Sequence, residues 1–124
     1  RRAWHAGPSR LLDRERCNDF SIGIELEGSE SRRFTEAQYR RLERLVTRLA
    51  NLYPLRYIAG HSDIAPGRKL DPGPWFDWIR LGPMLDAVGV SRPFPPSRRI
   101  PTGIAPGVPG NTGDRRRNRS ESTR

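Results

Sequence analysis

The chain has 124 residues, which allow one domain and no more. Its formal net charge of +9 suggests a nucleic-acid partner, but residues 92–124 hold eight arginines against two acidic residues, whereas residues 1–91 carry a net of only +3. The basicity therefore belongs mainly to the tail, and we expect no specific nucleic-acid partner. The apolar stretches are too short for a membrane span, so we expect no membrane partner, and one cysteine, Cys17, excludes an internal disulfide.

The first part of the chain predicts a loop followed by a strand. Residues 1–19 show no sustained apolar period and are predicted to be loop. Residues 20–28 alternate between apolar and polar side chains, which predicts a half-buried strand. The polar positions of that strand are Ser21, Gly23, Glu25 and Glu27. Its polar face either meets water or lines a cleft, and the pattern favours the two equally.

A helix is predicted next. Thr35 with Gln38 forms a capping box at its start, and Pro54 ends it. Apolar residues recur between them at helical spacing: Tyr39, Leu42, Leu45, Val46, Leu49 and Tyr53. Four arginines occupy the opposite face, which we interpret as a solvated surface: Arg40, Arg41, Arg44 and Arg48.

The last elements are a short strand over residues 55–59 and a helix with Pro74 in its first turn. The predicted packing residues of this helix are Trp75, Phe76, Trp78, Ile79, Leu81 and Leu85. Strand, helix, strand and helix in this order predict a mixed α/β layer structure. We expect one domain over residues 1–91 and a disordered tail rich in Arg, Pro and Gly over residues 92–124.

The loop over residues 60–74 carries the candidate chemistry. His61 and Asp71 have side chains of the types that bind zinc, although their spacing matches no generic zinc motif, and a surface hydrogen bond is the alternative. Beside a metal-bound hydroxide, the Lys69 ammonium would stabilise an oxyanion; without a metal it is an exposed lysine. Glu25 would act as general base on a metal-bound water. Together these residues indicate metal-assisted amide hydrolysis.

Three strings resemble, in the family's own order, the AmpD-type N-acetylmuramoyl-L-alanine amidases: RAWHAG at 2–7, RERCNDFSIGIELEG at 14–28 and GHSDIAPGRKLDPGP at 60–74. The resemblance covers roughly residues 2–88. It implies an α/β fold with a mixed β-sheet flanked by helices, of the amidase and peptidoglycan-recognition type. It also implies a cytoplasmic, Zn²⁺-dependent enzyme of bacterial cell-wall recycling.

The resemblance also implies residue roles. His61 resembles the family's second zinc-ligand histidine, and Asp71 its carboxylate ligand. Lys69 resembles the lysine that stabilises the developing oxyanion, and Glu25 the catalytic glutamate that acts on the metal-bound water.

Two further positions of the family contact substrate. Trp4 and Arg16 occupy them here, and the arginine would pair with a carboxylate of the stem peptide. The alternatives for these residues are a core tryptophan and a surface salt bridge.

The chain departs from the family at the first zinc ligand. In the family this ligand is a histidine well upstream of the Trp-His-Ala-Gly motif, while His5 belongs to that motif and is not a ligand. We therefore expect residues 1–91 to be the C-terminal portion of a zinc amidase domain that lacks its N-terminal strands, with a zinc site that lacks its third ligand.

The expected function is a zinc-dependent N-acetylmuramoyl-L-alanine amidase that cleaves the lactyl–L-alanine amide of (1,6-anhydro)muropeptides during peptidoglycan recycling. Two alternatives stay open: a non-catalytic muropeptide-binding protein and an inactive, truncated amidase. The sequence does not indicate the oligomeric state.

Overall fold

The computed structural model describes residues 2–29 and 31–95. Its strands and helices in chain order are β1 (Arg10–Leu11), β2 (Arg14–Glu15), α1 (Glu36–Leu52), α2 (His61–Ile64) and α3 (Gly82–Val88), with 3₁₀ turns at Cys17–Asp19 and Ile79–Leu81. Among the described residues, no helix is both long and apolar enough to cross a bilayer. Most of the predicted tail, residues 96–124, lies outside the described residues. The expected disorder was wrong at its start, because Arg92 is ordered by an ion pair with Asp63.

The long helix α1 confirms its prediction. The Thr35 hydroxyl accepts a hydrogen bond from the Gln38 backbone N–H at 3.2 Å, and the Gln38 side chain accepts one from the Thr35 backbone N–H at 2.8 Å. The helix ends at Leu52, because Tyr53 precedes Pro54 and takes the extended backbone that a following proline imposes. Local signals at both ends therefore set the bounds of this helix.

The core lies between α1 and the C-terminal part of the described chain. Its buried residues are Tyr39, Leu42, Val46, Phe76, Leu81, Leu85 and Val90. The ring of Phe76 packs edge-on against that of Trp78, with 4.6 Å between centroids, a favourable geometry for aromatic pairs. Burial of this face holds α1 and α3 together.

The predicted strand over residues 20–28 is absent, and this expectation was wrong. Ile22 and Ile24 are 48% and 37% exposed, so the apolar side of the segment is not buried. A strand exists only where a neighbouring segment completes its hydrogen-bond ladder. No backbone–backbone hydrogen bond joins residues 21–28 to another described segment, so the alternating segment has no partner strand.

Other short elements also differ from their predictions. The loop predicted for residues 1–19 contains an antiparallel hairpin, in which Arg10 pairs with Glu15 and Leu11 with Arg14. The strand predicted for residues 55–59 is reduced to one parallel bridge, between Tyr57 and Ser91.

The last helix begins later than predicted. Helix α3 starts at Gly82 with Pro83 in its first turn, rather than at Pro74. Both prolines have a φ suited to a first turn, and the residues between them form turns that bury Phe76. The predicted packing residue Ile79 is instead 64% exposed.

Candidate functional site

The loop over residues 60–74 brings an imidazole and a carboxylate together. His61 is the first residue of α2, and its Nδ1 lies 3.2 Å from an oxygen of the Asp71 carboxylate. The Ser62 backbone N–H also donates to the Asp71 carbonyl oxygen at 2.9 Å. Side-chain and backbone contacts thus join the two ends of the loop.

The second nitrogen of His61 faces the Trp-His-Ala-Gly turn, which is residues 4–7. Its Nε2 lies 3.0 Å from the Ala6 carbonyl oxygen. The Arg68 guanidinium donates to the same oxygen at 2.6 Å and to the Pro8 carbonyl oxygen at 2.8 Å. A neutral imidazole donates through one nitrogen only, so the tautomer decides whether His61 donates to Asp71 or to Ala6.

The start of the loop is held by Asp63. This carboxylate accepts from the Gly60 backbone N–H at 2.7 Å and pairs with both terminal nitrogens of Arg92, at 3.1 and 3.3 Å. The Arg92 guanidinium also stacks over the Trp78 ring, 4.1 Å from its centroid. Burial lowers the pKa of the Arg92 guanidinium, and the Asp63 charge opposes this shift.

The two predicted catalytic groups stand apart from the His61–Asp71 pair. Glu25 is exposed and Lys69 is half-buried. Neither side chain forms a hydrogen bond or ion pair with another group among residues 2–29 and 31–95. Their roles therefore stay predictions, since the structure does not bring them into contact with His61 or Asp71.

The segment that carries Glu25 is joined to the loop indirectly, through His5. The His5 ring lies 2.8 Å from the Ser21 hydroxyl oxygen. A Cβ on Gly23 would lie only 2.8 Å from the same ring, so backbone and imidazole are in close contact. Because Ala6 follows His5, the Trp-His-Ala-Gly turn lies between residues 21–25 and His61.

The two predicted substrate contacts are on the surface. Trp4 is 80% exposed, so the alternative of a core tryptophan was wrong. Arg16 adopts a left-handed backbone with φ 62° and forms an ion pair with Asp19 at 3.4 Å, as the surface salt-bridge interpretation predicts. An exposed ion pair of this kind contributes little to stability, which leaves the guanidinium available to a ligand.

A groove lies beside Arg16, between the β1–β2 hairpin and the turn that follows α2. Its volume is about 540 Å³, and its charged lining residues are Arg10, Glu15, Arg16 and Arg68. Arg10 pairs with Glu15, and Arg68 donates to backbone carbonyls. Arg16, whose ion pair with Asp19 is exposed, is therefore the guanidinium best placed for an anionic ligand, which it can bind in a bidentate geometry.

The described residues do not fit a complete catalytic zinc site. Neutral imidazole and carboxylate are suitable zinc ligands, and His61 and Asp71 supply one of each. A catalytic zinc needs three protein ligands, yet no group of three or more His, Cys, Asp or Glu side chains is arranged to hold a metal within residues 2–29 and 31–95. We derive no chemical step through a metal from this arrangement.

Three residues that hold the loop carry no role in the sequence-based prediction. They are Asp63, Arg68 and Arg92. The sequence signal for Asp63 is its position three residues after Gly60, as in a capping box. The contact at Ala6 uses a backbone carbonyl. Every residue has one, so the sequence gives no signal for this contact.

The geometry defines a surface site with a paired imidazole and carboxylate beside a cationic groove. The family model described as N-acetylmuramoyl-L-alanine amidase matches residues 1–74, more than half of the chain. The chain therefore belongs to this family of amidase enzymes.

Similar proteins occur in several bacteria. The 1,6-anhydro-N-acetylmuramyl-L-alanine amidase AmpD of Enterobacter cloacae is 58% identical over 87 residues, which cover 68% of this chain and 46% of that protein. AmpD of Escherichia coli K12 is 56% identical over 83 residues, which cover 65% and 45%. The chain spans about half the length of the curated relatives it matches.

Solved structures agree with the family assignment. A selenomethionine AmpD derivative superposes with a TM-score of 0.61 at 54% identity, covering 67% of this chain and 48% of that one. AmpDH3 from Pseudomonas aeruginosa, solved in complex with anhydromuramic pentapeptide, gives a TM-score of 0.59 at 35% identity, covering 73% and 38%. The predicted α/β amidase fold class is thereby confirmed.

Proposed function

We propose that this chain is part of an N-acetylmuramoyl-L-alanine amidase that hydrolyses the amide between the lactyl group of (1,6-anhydro)muramic acid and L-alanine. One observation carries the proposal: residues 1–74, which the family model matches, contain every candidate site residue. These residues are Trp4, Arg16, Glu25, His61, Lys69 and Asp71.

The groove beside Arg16 supports a muropeptide as the substrate. The stem peptide of a muropeptide carries carboxylates, and the exposed Arg16 in the groove lining is suited to pair with one of them. AmpDH3, which is similar to this chain, was solved with an anhydromuramic pentapeptide bound. In this proposal Arg16 pairs with a stem-peptide carboxylate, and the exposed Trp4 packs against the substrate.

Hydrolysis of the amide needs a base and a group that stabilises negative charge. Glu25 accepts a proton from the attacking water, and Lys69 donates a hydrogen bond to the oxyanion of the tetrahedral intermediate. When the intermediate collapses and the C–N bond breaks, Glu25 returns that proton to the leaving amine of L-alanine. Neither side chain forms an ion pair within the described residues. Both are therefore able to turn toward a bound substrate without breaking an existing contact.

The proposal includes zinc as the cofactor. His61 and Asp71 are two of its ligands, since their donor atoms are of the right chemical types and already lie 3.2 Å apart. A complete site needs a third donor, which the described residues do not place beside them.

The similarity to AmpD also supports the cellular setting. We place the reaction in cytoplasmic recycling of peptidoglycan, where the enzyme would act on small muropeptides.

The test uses the whole protein of which this chain is part, with added Zn²⁺. Release of an L-alanine-containing peptide from a 1,6-anhydromuropeptide is measured by liquid chromatography and mass spectrometry. Glu25→Gln should lower kcat by about 10²- to 10⁴-fold, the usual contribution of a general base. Glu27→Gln is the matched control, because it removes a carboxylate two residues away, and it should keep the parent rate.

Two results would contradict this proposal. Binding of the muropeptide with no turnover at any zinc concentration would identify a non-catalytic binding protein. Neither binding nor turnover would identify an inactive chain.

A further inference from the structure

A half-buried ion pair lies behind the candidate site. The side chains of Asp63 and Arg92 are only 17% and 12% exposed, and the guanidinium contacts both carboxylate oxygens. Burying two charges is costly unless their geometry is good and further hydrogen bonds satisfy them. Here the carboxylate also accepts from the Gly60 backbone N–H, which places the pair at the start of the loop that carries His61.

Arg92 reaches this position through the backbone bridge. The Ile58 N–H donates to the Ser91 carbonyl oxygen at 2.9 Å, and the Ser91 N–H donates to the Arg56 carbonyl oxygen at 2.8 Å. These bonds fix the backbone next to Arg92 against the segment that leads into Gly60. The side chain then lies between Asp63 and the face of Trp78.

Gly60 is enclosed by the same group. A Cβ at this position would lie 2.8 Å from Cδ of Pro72, 3.2 Å from the Asp63 carboxylate and 3.3 Å from the Trp78 ring. Pro72 follows Asp71 in the chain, so the packing around Gly60 includes both the start and the end of the loop. Displacing Asp63 would therefore alter the position of His61 relative to Asp71.

We propose that Arg92, acting through Asp63, is a positioning residue that fixes His61 against Asp71. Arg92 lies beyond residues 1–74, the range that the family model matches. The inference rests on the proposed function and extends it, because it explains how the residues of the same site are held in position. Arginine is suited to the role, since its planar group pairs with both carboxylate oxygens while stacking on an aromatic ring.

The experiment compares Arg92→Met with the parent 124-residue chain. Amide hydrogen exchange is measured at Gly60, whose N–H donates to Asp63, and at Ser62, whose N–H donates to Asp71. Both amides should exchange about tenfold faster or more in the variant, as expected when hydrogen bonds that depend on a charged partner are lost. Amides in the middle of α1 should exchange at the parent rate.

Arg80→Met is the matched control. It also removes a guanidinium that pairs with a carboxylate and stacks on an aromatic ring, since Arg80 contacts Glu36 and lies 4.5 Å from the Tyr39 ring centroid. It should leave exchange at Gly60 and Ser62 unchanged. Arg92→Lys keeps the charge and should give a smaller effect than Arg92→Met.

Faster exchange confined to the loop supports the proposal. Equal acceleration across α1 and the loop in both Arg92 variants, or no change at Gly60 and Ser62, would overturn it. Where the parent chain hydrolyses anhydromuropeptide, Arg92→Met should lower kcat and leave KM unchanged. Absence of activity in the whole protein that contains this chain would contradict the proposed function alone, because the exchange measurement does not depend on turnover.

Discussion

The Nε2 atom of His61 lies 3.0 Å from the carbonyl oxygen of Ala6, 55 residues earlier in the chain. This contact connects two of the strings that resemble the amidase family, the Trp-His-Ala-Gly turn and the loop over residues 60–74. Arg68 strengthens the connection by donating to the same oxygen. The turn therefore orients the candidate ligand histidine through its backbone, although its own histidine side chain faces away toward Ser21.

Gly7→Ala should weaken this connection. Gly7 has φ +61°, where a side chain is strained, and a new Cβ would lie 3.1 Å from the Arg68 guanidinium. We expect the free energy of unfolding to fall by about 1–3 kcal/mol, measured by urea denaturation.

Gly67→Ala is the matched control for Gly7→Ala. Gly67 also has a positive φ, +78°, but a Cβ at this position would meet no atom within 4 Å. Gly67→Ala should lower the free energy of unfolding through backbone strain alone, without a steric clash with a neighbouring side chain. Equal losses in the two variants would show that the contact with Arg68 is irrelevant to stability.

Gly23→Ala tests the contact between the Glu25 segment and His5. The new Cβ would lie 2.8 Å from the His5 ring, so one of the two must move. We expect a loss of about 1–3 kcal/mol in the free energy of unfolding, as for other overpacking substitutions, and a changed chemical shift of the His5 ring protons.

Gly82→Ala is the control for this substitution. Gly82 is the first residue of α3, and a Cβ there meets nothing within 4 Å. Alanine should be neutral or stabilising by up to about 1 kcal/mol, because it restricts the unfolded chain.

An unchanged His5 spectrum in Gly23→Ala would rule out the close packing of the two segments.

Sequence-based prediction succeeds where the structure depends on neighbours in sequence. Helix α1 is predictable because Thr35, Gln38 and Pro54 act within a few residues of its ends. The absence of a strand over residues 20–28 is not predictable in the same way. Strand formation depends on hydrogen bonds to a partner strand, and the alternation of apolar and polar residues does not supply one. The start of α3 is misplaced because Pro74 and Pro83 carry the same local signal, and only the burial of the core residues around them decides between the two.

The candidate site also has some features that the sequence predicts and others that it does not. Residue types and a family resemblance are enough to name His61 and Asp71 as candidate site residues, and their side chains lie 3.2 Å apart. The contacts that hold the loop are not predictable, because Arg92 is 29 residues from Asp63 in sequence. Long-range pairs of this kind depend on how the core packs, which a single sequence does not reveal.

Acid should weaken the ion pair between Glu36 and Arg80. The hydrogen bond from Arg80 lowers the pKa of Glu36 below its usual value of 4.5. A lowered pKa in the folded state gives stability that is present above pH 4.5 and is lost as the pH falls through the folded value. In urea denaturation, the difference between the parent and Glu36→Gln should therefore be largest near neutral pH and shrink below pH 4.5.

The Arg80→Met background provides the control for this pH dependence. Without the guanidinium, Glu36→Gln should have a much smaller pH-dependent effect on stability, because Arg80 is the main cause of the lowered pKa and only the weaker attraction of Arg40 remains. High salt should also reduce the difference in the parent, because the pair is at the surface and is screened. A pH-dependent effect that survives undiminished in Arg80→Met would assign the lowered pKa to another group.

Trp4→Ala separates substrate binding from folding. Because Trp4 is 80% exposed, its removal creates no cavity, and the free energy of unfolding should change by less than about 0.5 kcal/mol. If Trp4 packs against the muropeptide, KM should rise several-fold while kcat stays near the parent value, since the contact would be the same in the ground state and the transition state. Tyr53→Ala is the control, because Tyr53 is also an exposed aromatic residue, at 52%, and has no predicted substrate contact, so its KM should equal that of the parent. An unchanged KM in the folded Trp4→Ala variant would exclude Trp4 from the substrate contacts.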